Sequence, residues 1–500
     1  MGTTFLANTY QSANTAPNLI FELAAAGVLT SVFVPTFVEH LVRKQRAEGW
    51  AAANALTSVA LVGLMMLALV LALAAPLVMR VLLVGVEPAV RDDALRVGTA
   101  LLRLFAPQVV FYGAGMIMTS ALHAHRRFGM AAVAPIFNNV VVISVYLGYM
   151  SLRAGRPPQL TEVGAPEIFL LGAGTTAGVV AMTLCLIPSL RRLGWRFRFR
   201  WEPRHEAVRK GARLGVWALG YAGGYQAGLL VVLILANRVE GGVAAYQWAY
   251  TFFYLPHALF GVPIFNVLFT AMAEHVSEGR PDAVAHRLRE GLSMLGFILL
   301  PLSVALVVLA SPLTSITLSY GAMTPEGAEL VARVLAGFAL GLPAFSVFLV
   351  LTRAFYALSD TRTPALVNGA TVILSSTAGA ALFFALEDGW SVVGLALGHS
   401  IGFLVGAAVL GRALRQKLAT RFAEGLGPSI LRSGAAALVA GVIMWGLVGW
   451  LPDGSRSSAL VALSVAGTGG AVCYVLVMAL LRSEDLMRLR GLFPRLRGRG

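Results

Sequence analysis

The side chains capable of chemistry in this 500-residue chain are few, and most of them interrupt long apolar runs. Glu22 lies in the middle of one run, Arg103 and Arg333 near the starts of two others, and His257 and His399 deep inside two more. An ionisable group held in hydrocarbon is expensive, so each is by default a candidate for the route of a polar cargo. Glu22 must be neutralised there by a proton, a cation or an arginine. It either lies on such a route or ties two helices together. Arg103 and Arg333 either snorkel to an interface or line a path. The two histidines are either hydrogen-bonded helix contacts or proton relays, and Gln11 and Gln247 either face a cleft or bond neighbouring helices.

Other constellations fail on spacing or context. His123 and His125 are one residue apart, but beside Arg126 and Arg127 at a helix end they read as interfacial rather than as metal ligands. Cys185 and Cys473 lie in separate apolar runs and make neither a disulfide framework nor a metal-ligand spacing. No phosphate-binding glycine loop appears, and no nucleophile with a base or pair of carboxylates. The sequence therefore points to no enzyme, no cofactor and no metal. The alternating run Arg196 to Trp201, RFRFRW, suits an anionic lipid surface and equally serves as a determinant of orientation.

The elements that carry these residues are membrane helices. The chain is 57% hydrophobic and only 13% charged, against about 25% charged residues in soluble domains. Its mean hydropathy is +0.76. Apolar runs long enough to cross roughly 30 Å of hydrocarbon predict helices near 13 to 38, 54 to 78, 98 to 121, 130 to 150, 167 to 188 and 213 to 236. Seven more are predicted near 243 to 271, 288 to 310, 328 to 357, 364 to 386, 391 to 414, 430 to 451 and 458 to 481.

In alternate connections between these helices, one set holds 27 Lys and Arg and the other 7. The basic set includes Arg191 to Lys210 and the tail from Arg482 to Arg499, and the loop Ser311 to Gly327 in the other set has none. Positively charged connections stay in the cytoplasm, which fixes the orientation and explains the net charge of +15 without nucleic acid. That orientation puts Met1 to Ser12 outside, with no earlier span to carry it there.

An internal repeat accounts for this. YQSANT from Tyr10 recurs as YQWAYT from Tyr246, Glu39 and His40 recur as Glu274 and His275, and TSALHAHRRF from Thr119 echoes in TRAFYALSDT from Thr352. The lags are 236, 235 and 233. Two homologous halves of one orientation follow, a parallel repeat with the substrate path between them. A counterpart of the helix near 213 to 236 is then expected before Tyr10, giving fourteen helices in two sets of six and a final pair. The expected division is an N-terminal lobe over 1–200, a second lobe over 201–424, two further helices over 425–482 and a basic cytoplasmic tail over 483–500.

Four stretches, Ala16 to Pro35, Arg126 to Asn139, Tyr254 to Leu268 and FYALSDTRTP from Phe355 to Pro364, resemble the MviN/MurJ proteins. These are lipid II flippases of the multidrug/oligosaccharidyl-lipid/polysaccharide exporter superfamily, and the likeness runs from about Ala7 to Leu414. The resemblance implies an all-α integral membrane fold of two six-helix lobes, and a multi-pass protein of the bacterial cytoplasmic membrane. It further implies a cationic central cavity for a pyrophosphate head group and a groove beside the last two helices for the polyprenyl tail. It places Glu22 and Asn18 against that cavity and marks Arg126, Arg127, Asp360 and Arg362 as motif-loop residues. Fixed cations in a wet cleft would offset the lost hydration of a diphosphate.

The sequence departs from the family where head-group arginines are usual, since Phe21 and Glu22 follow the Pro17, Asn18 pair and Thr251 precedes Pro256. The reading is a transporter that flips a lipid-linked peptidoglycan precursor among membrane lipids, coupled to membrane potential or an ion. Export of another lipid-linked glycan or amphiphile, or a non-transporting scaffold, are the alternatives.

Overall fold

The structure is a computed structural model that describes residues 2–24, 46–153, 159–195, 197–204, 226–387, 389–418, 425–451 and 456–487. The remainder of the expected helix near 13 to 38, the Glu39 and His40 pair, most of the helix near 213 to 236 and the basic tail beyond Met487 lie outside these residues.

Among the described residues there are helices and no strands. The first compact unit, Met1–Val243, contains α1 (Phe5–Ala24), α2 (Arg46–Leu82), α3 (Pro88–Phe105), α4 (Gln108–Ala124), α5 (Gly129–Arg153), α6 (Ala165–Leu184), α7 (Ile187–Arg192) and α8 (Gln226–Ala236). The second unit, Ala244–Gly500, is built from α9 (Gly242–Pro256), a π-helical turn His257–Gly261, and α10 (Val262–Ser277). It continues through α11 (Pro281–Val308), α12 (Ala310–Leu318), α13 (Pro325–Ala339), α14 (Leu342–Ala357), α15 (Arg362–Ala385) and α16 (Ser391–Leu418). The last two helices are α17 (Leu426–Trp450) and α18 (Arg456–Leu480). Ten helices among the described residues are long and apolar enough to cross a bilayer, and α13 with α14 makes an eleventh crossing if that bent pair is one span.

The distribution of polarity is that of a protein dissolved in lipid. Asn8, Ser12, Ser58, Gln108 and Asn237 are buried, while Met66, Leu73, Trp445 and Trp450 are exposed. Hydrocarbon solvates apolar side chains as well as a core does, so helices associate through close packing and hydrogen bonds instead. The α15–α16 seam shows this. Small residues oppose each other one helical turn at a time, with Gly398 against Gly379, Gly402 against Ser375 and Gly406 against Thr371. A Cβ on Gly398 or Gly402 would meet the neighbouring helix at once.

Two spans are broken at corresponding places, α3/α4 at Ala106 and Pro107 and α13/α14 at Leu340 and Gly341, the second by a bend of 47°. A break frees carbonyls that hydrocarbon cannot satisfy. In the first unit the Thr176 hydroxyl of α6 donates to Leu104 O at 2.8 Å. In the second, the Gly341 N–H bonds Phe338 O rather than Gly337 O, and the Ser400 hydroxyl of α16 donates to Gly337 O at 2.8 Å. Leu104 and Gly337 are 233 positions apart, the lag of the motif echo. The aromatic packing repeats too: Tyr10 meets Phe105 edge-on at 5.4 Å, and Tyr246 meets Phe338 at 4.9 Å.

Three features differ from the sequence expectation. The expected outward loop Ser311 to Gly327 is helical through Leu318, packed on α13 and α18. The span expected from residue 98 starts at Pro88, because Arg91, Asp92, Asp93 and Arg96 ride an amphipathic first half, with Arg96 bonded to Asp93 at 3.0 Å. Finally, α8 lies with the first unit: Asn237 Nδ2 donates to Ser12 Oγ at 2.8 Å and to Leu82 O at 3.1 Å.

Candidate functional site

In the first unit the candidate site grows from one face of α1. Asn14, Asn18 and Glu22 recur every four residues, so they share a stripe along the helix. The Asn18 amide donates to Asn14 O at 3.1 Å. The Glu22 carboxylate is exposed and accepts from the side-chain amide of buried Gln226 on α8. Phe21, beside it, packs on Tyr112 at 5.4 Å. Two acceptors in this region, Gln226 Oε1 and Asn14 Oδ1, are buried without a hydrogen-bond donor among the described residues. The open oxygen of Gln226, on the side chain that holds Glu22, suits a donor or a cation, since an unmet polar group in low dielectric is costly.

Among the described residues Glu22 thus has a partner, the Gln226 amide. Gln226 and Asn14 were not singled out from the sequence. The signal was present, because Gln226 is a lone amide in an apolar run and Asn14 stands one turn before Asn18. Gln11 is half-buried on the same helix. Arg103 is exposed on α3 and is not bonded to Glu22.

In the second unit both candidate histidines flank Phe345, His257 at 5.0 Å and His399 at 5.8 Å between ring centroids. Buried His257 is held by the Ser346 hydroxyl, 2.8 Å from its Nδ1, where the π-helical turn after Pro256 carries it against Gly261. His399 is ringed by Phe338, Phe345 and Phe403, and its Nδ1 has no partner among the described residues. Gln247 and Thr251 lie about three and two helical turns before His257; the exposed Thr251 hydroxyl donates back to Gln247 O at 2.9 Å. The polar group standing where an arginine was expected is therefore engaged with its own helix. Arg333 bonds Glu329 at 3.2 Å and covers the Trp390 ring at 5.3 Å, an interfacial arrangement.

The motif loops sit at helix ends. Arg126 and Arg127 are exposed after α4, and Arg362 is exposed at the start of α15. Asp360 accepts from the Thr363 N–H at 3.0 Å and the Thr363 hydroxyl at 2.9 Å, and pairs with Lys417. The Lys417 hydrogen bond, followed by that from the Thr363 backbone, pulls the Asp360 carboxyl down to about 2. Arg353 covers the Phe265 ring at 5.3 Å. His123, beside Phe128, belongs to no group of three or more metal-ligating side chains among the described residues.

A family model described as "Lipid II flippase MurJ" matches residues 1–464. The "Probable lipid II flippase MurJ" of Rhizobium tropici is 27% identical over 477 residues, covering 93% of this chain and 86% of that protein. The protein of the same description from Vibrio cholerae is 27% identical over 503 residues, covering 97% and 92%. Among solved structures, "Lipid II flippase MurJ, inward closed conformation" aligns with a TM-score of 0.76 at 17% identity over 96% of this chain and 93% of that one. An inward-facing multidrug resistance MATE family transporter of the MOP superfamily aligns at 0.67 and 12% identity, covering 85% and 92%. These likenesses show an all-α transporter fold, that of a multi-pass protein of the bacterial cytoplasmic membrane. With its repeated broken spans and a family match over most of its length, the chain belongs to the lipid II flippase MurJ family.

Proposed function

We propose that this chain moves a polyprenyl-diphosphate-linked peptidoglycan precursor, lipid II, from the inner to the outer leaflet by alternating access, and that it is a transporter and not an enzyme. The observation that carries the proposal is the family match across residues 1–464. A diphosphate head group cannot cross hydrocarbon unaided, and a membrane-spanning protein with polar stripes along its helices offers it a hydrated route.

Within that route Glu22 is the coupling residue. A carboxylate would repel a diphosphate unless neutralised, and the open acceptor of Gln226, whose amide holds Glu22, suits a proton or a monovalent cation. Loading that site stabilises the state that accepts lipid, so flipping follows the ion gradient or the membrane potential. The polar groups that share the helix of Glu22, Asn18 and Gln11, contact cargo by hydrogen bonds instead of by charge.

The test is outward exposure of lipid II in cells depleted of their own flippase and supplied with this protein. Accumulation of outward lipid II is expected. Glu22→Gln should flatten its dependence on pH or sodium while leaving membrane abundance unchanged. No outward lipid II from an abundant, membrane-inserted protein would end the proposal. The replacement of expected arginines by Phe21, Glu22 and Thr251 favours one second reading, a less anionic lipid-linked cargo. Transport of a polyprenyl-monophosphate sugar in preference to lipid II would establish it.

A further inference from the structure

The first unit contains a cavity of about 670 Å³ whose lining, among the described residues, includes neither Glu22 nor Gln226. Leu61 of α2, Ile117 and Met118 of α4 and Leu190 of α7 give it apolar walls, and Arg191 and Phe197 line it where the chain leaves α7. The segment after α7 is fixed in place. The Trp195 indole N–H donates to Asn54 Oδ1 at 2.9 Å, and the Arg200 backbone N–H donates to Ser58 Oγ at 2.9 Å, one turn further along α2.

This folding back leaves Phe197, Phe199 and Trp201 exposed beside exposed Arg191, Arg198 and Arg200. Among the described residues, Arg191 and Arg198 have no carboxylate in salt-bridge range, and the nearest to Arg200 is Glu202 at 3.8 Å. The same segment lies on the side assigned to the cytoplasm by its concentration of arginines.

An apolar cavity opening beside uncompensated cations and exposed aromatic rings calls for a ligand with an apolar chain and an anionic head. We infer that the cavity holds one acyl chain of an anionic phospholipid of the cytoplasmic leaflet, with its phosphate on Arg191 and the neighbouring arginine strip. Aromatic side chains settle at the head-group level and cations there draw acidic lipids. The strip thereby acts as the rim of a lipid site in addition to fixing orientation. The inference does not depend on what the protein transports.

The experiment uses the purified full chain in phosphatidylcholine nanodiscs containing a phosphatidylglycerol with a diazirine at the end of one acyl chain. Adducts are mapped by mass spectrometry. Labelling of peptides bearing Met118 or Leu190 is expected to be several-fold stronger than with the same diazirine on phosphatidylcholine. Ala114→Phe, which fills the cavity from α4, should remove those adducts while labelling of the exposed α5 face around Phe137 persists, reporting an intact fold. Arg191→Gln with Arg198→Gln should erase the preference for phosphatidylglycerol and keep the phosphatidylcholine level. Equal labelling by the two probes, no adducts at the cavity, or adducts undiminished by Ala114→Phe would each overturn the inference. So would displacement by a polyprenyl diphosphate at lower concentration than by unlabelled phosphatidylglycerol, which would give the cavity to a transported lipid.

Discussion

Arg126 and Ser359, 233 positions apart, hold the same left-handed backbone, with φ +58° at each. Their surroundings correspond bond for bond. Arg126 N–H donates to His123 O at 2.9 Å and Ser359 N–H to Tyr356 O at 3.0 Å. The next residue in each, Arg127 and Asp360, donates to Leu122 O and Phe355 O at 2.9 Å. This is the reversed turn that ends a helix by satisfying its last carbonyls, kept twice without the glycine that usually occupies it.

A side chain in that conformation costs roughly 1–2 kcal/mol. Arg126→Gly and Ser359→Gly should therefore each raise the thermal midpoint in detergent, by about 1 kcal/mol of stability, and Arg126→Val should lower it. Glycine and valine variants of equal midpoint would show that the turn is unstrained.

The α15–α16 seam should be the most size-sensitive contact. Gly402→Val forces a branched side chain into Ser375 and the Thr371 carbonyl, and overpacking of this kind costs about 1–3 kcal/mol. Gly369→Ala, where nothing lies within 4 Å of the added carbon, is the control and should be nearly silent. Equal midpoints for the two variants would contradict the seam.

Asp360 links stability to acid. Its folded pKa, about 2, lies below the ordinary 3.8, so its contribution is complete above about pH 3.8 and is lost as pH falls through about 2. Midpoints measured from pH 5 down to pH 2 should fall for the natural protein and lose this component in Asp360→Asn. Removing the carboxylate altogether, in Asp360→Ala, should cost about 1 kcal/mol at neutral pH. A variant with the same acid profile as the natural protein would rule out the Lys417 and Thr363 contacts as its source.

For orientation, single cysteines at Phe199 and Tyr320, both exposed, should behave oppositely in a background lacking Cys185 and Cys473. An impermeant thiol reagent on intact cells should modify the position at 320 and spare that at 199. The reverse pattern would invert the topology.

Much of the architecture was legible because hydrocarbon imposes simple rules on composition. Spans showed as apolar runs, and the 233-residue echo pointed to the turn shared by Arg126 and Ser359. What escaped depended on contacts rather than composition. The start of α3 at Pro88 is masked in a hydropathy reading by Arg91, Asp92, Asp93 and Arg96, whose charges are tolerable on an amphipathic helix that only later becomes apolar. Helix α12 is short and sits where charge is absent, which reads as loop. Gln226 acquired meaning only when α8 was seen beside Glu22, since a single amide in an apolar run has no preferred partner until the helices are arranged.

The hydroxyls of Thr176 and Ser400 have a consequence for motion. A continuous helix in lipid resists bending because every opened backbone bond exposes a carbonyl to oil, at several kcal/mol each. Here the interruption has already been made, and the freed oxygens of Leu104 and Gly337 are followed by O–H groups that rotate about a single bond. Changing the angle between α3 and α4, or between α13 and α14, swings a donor instead of breaking a ladder. At each of the two breaks a side-chain hydroxyl, rather than the backbone ladder alone, holds the helix ends together.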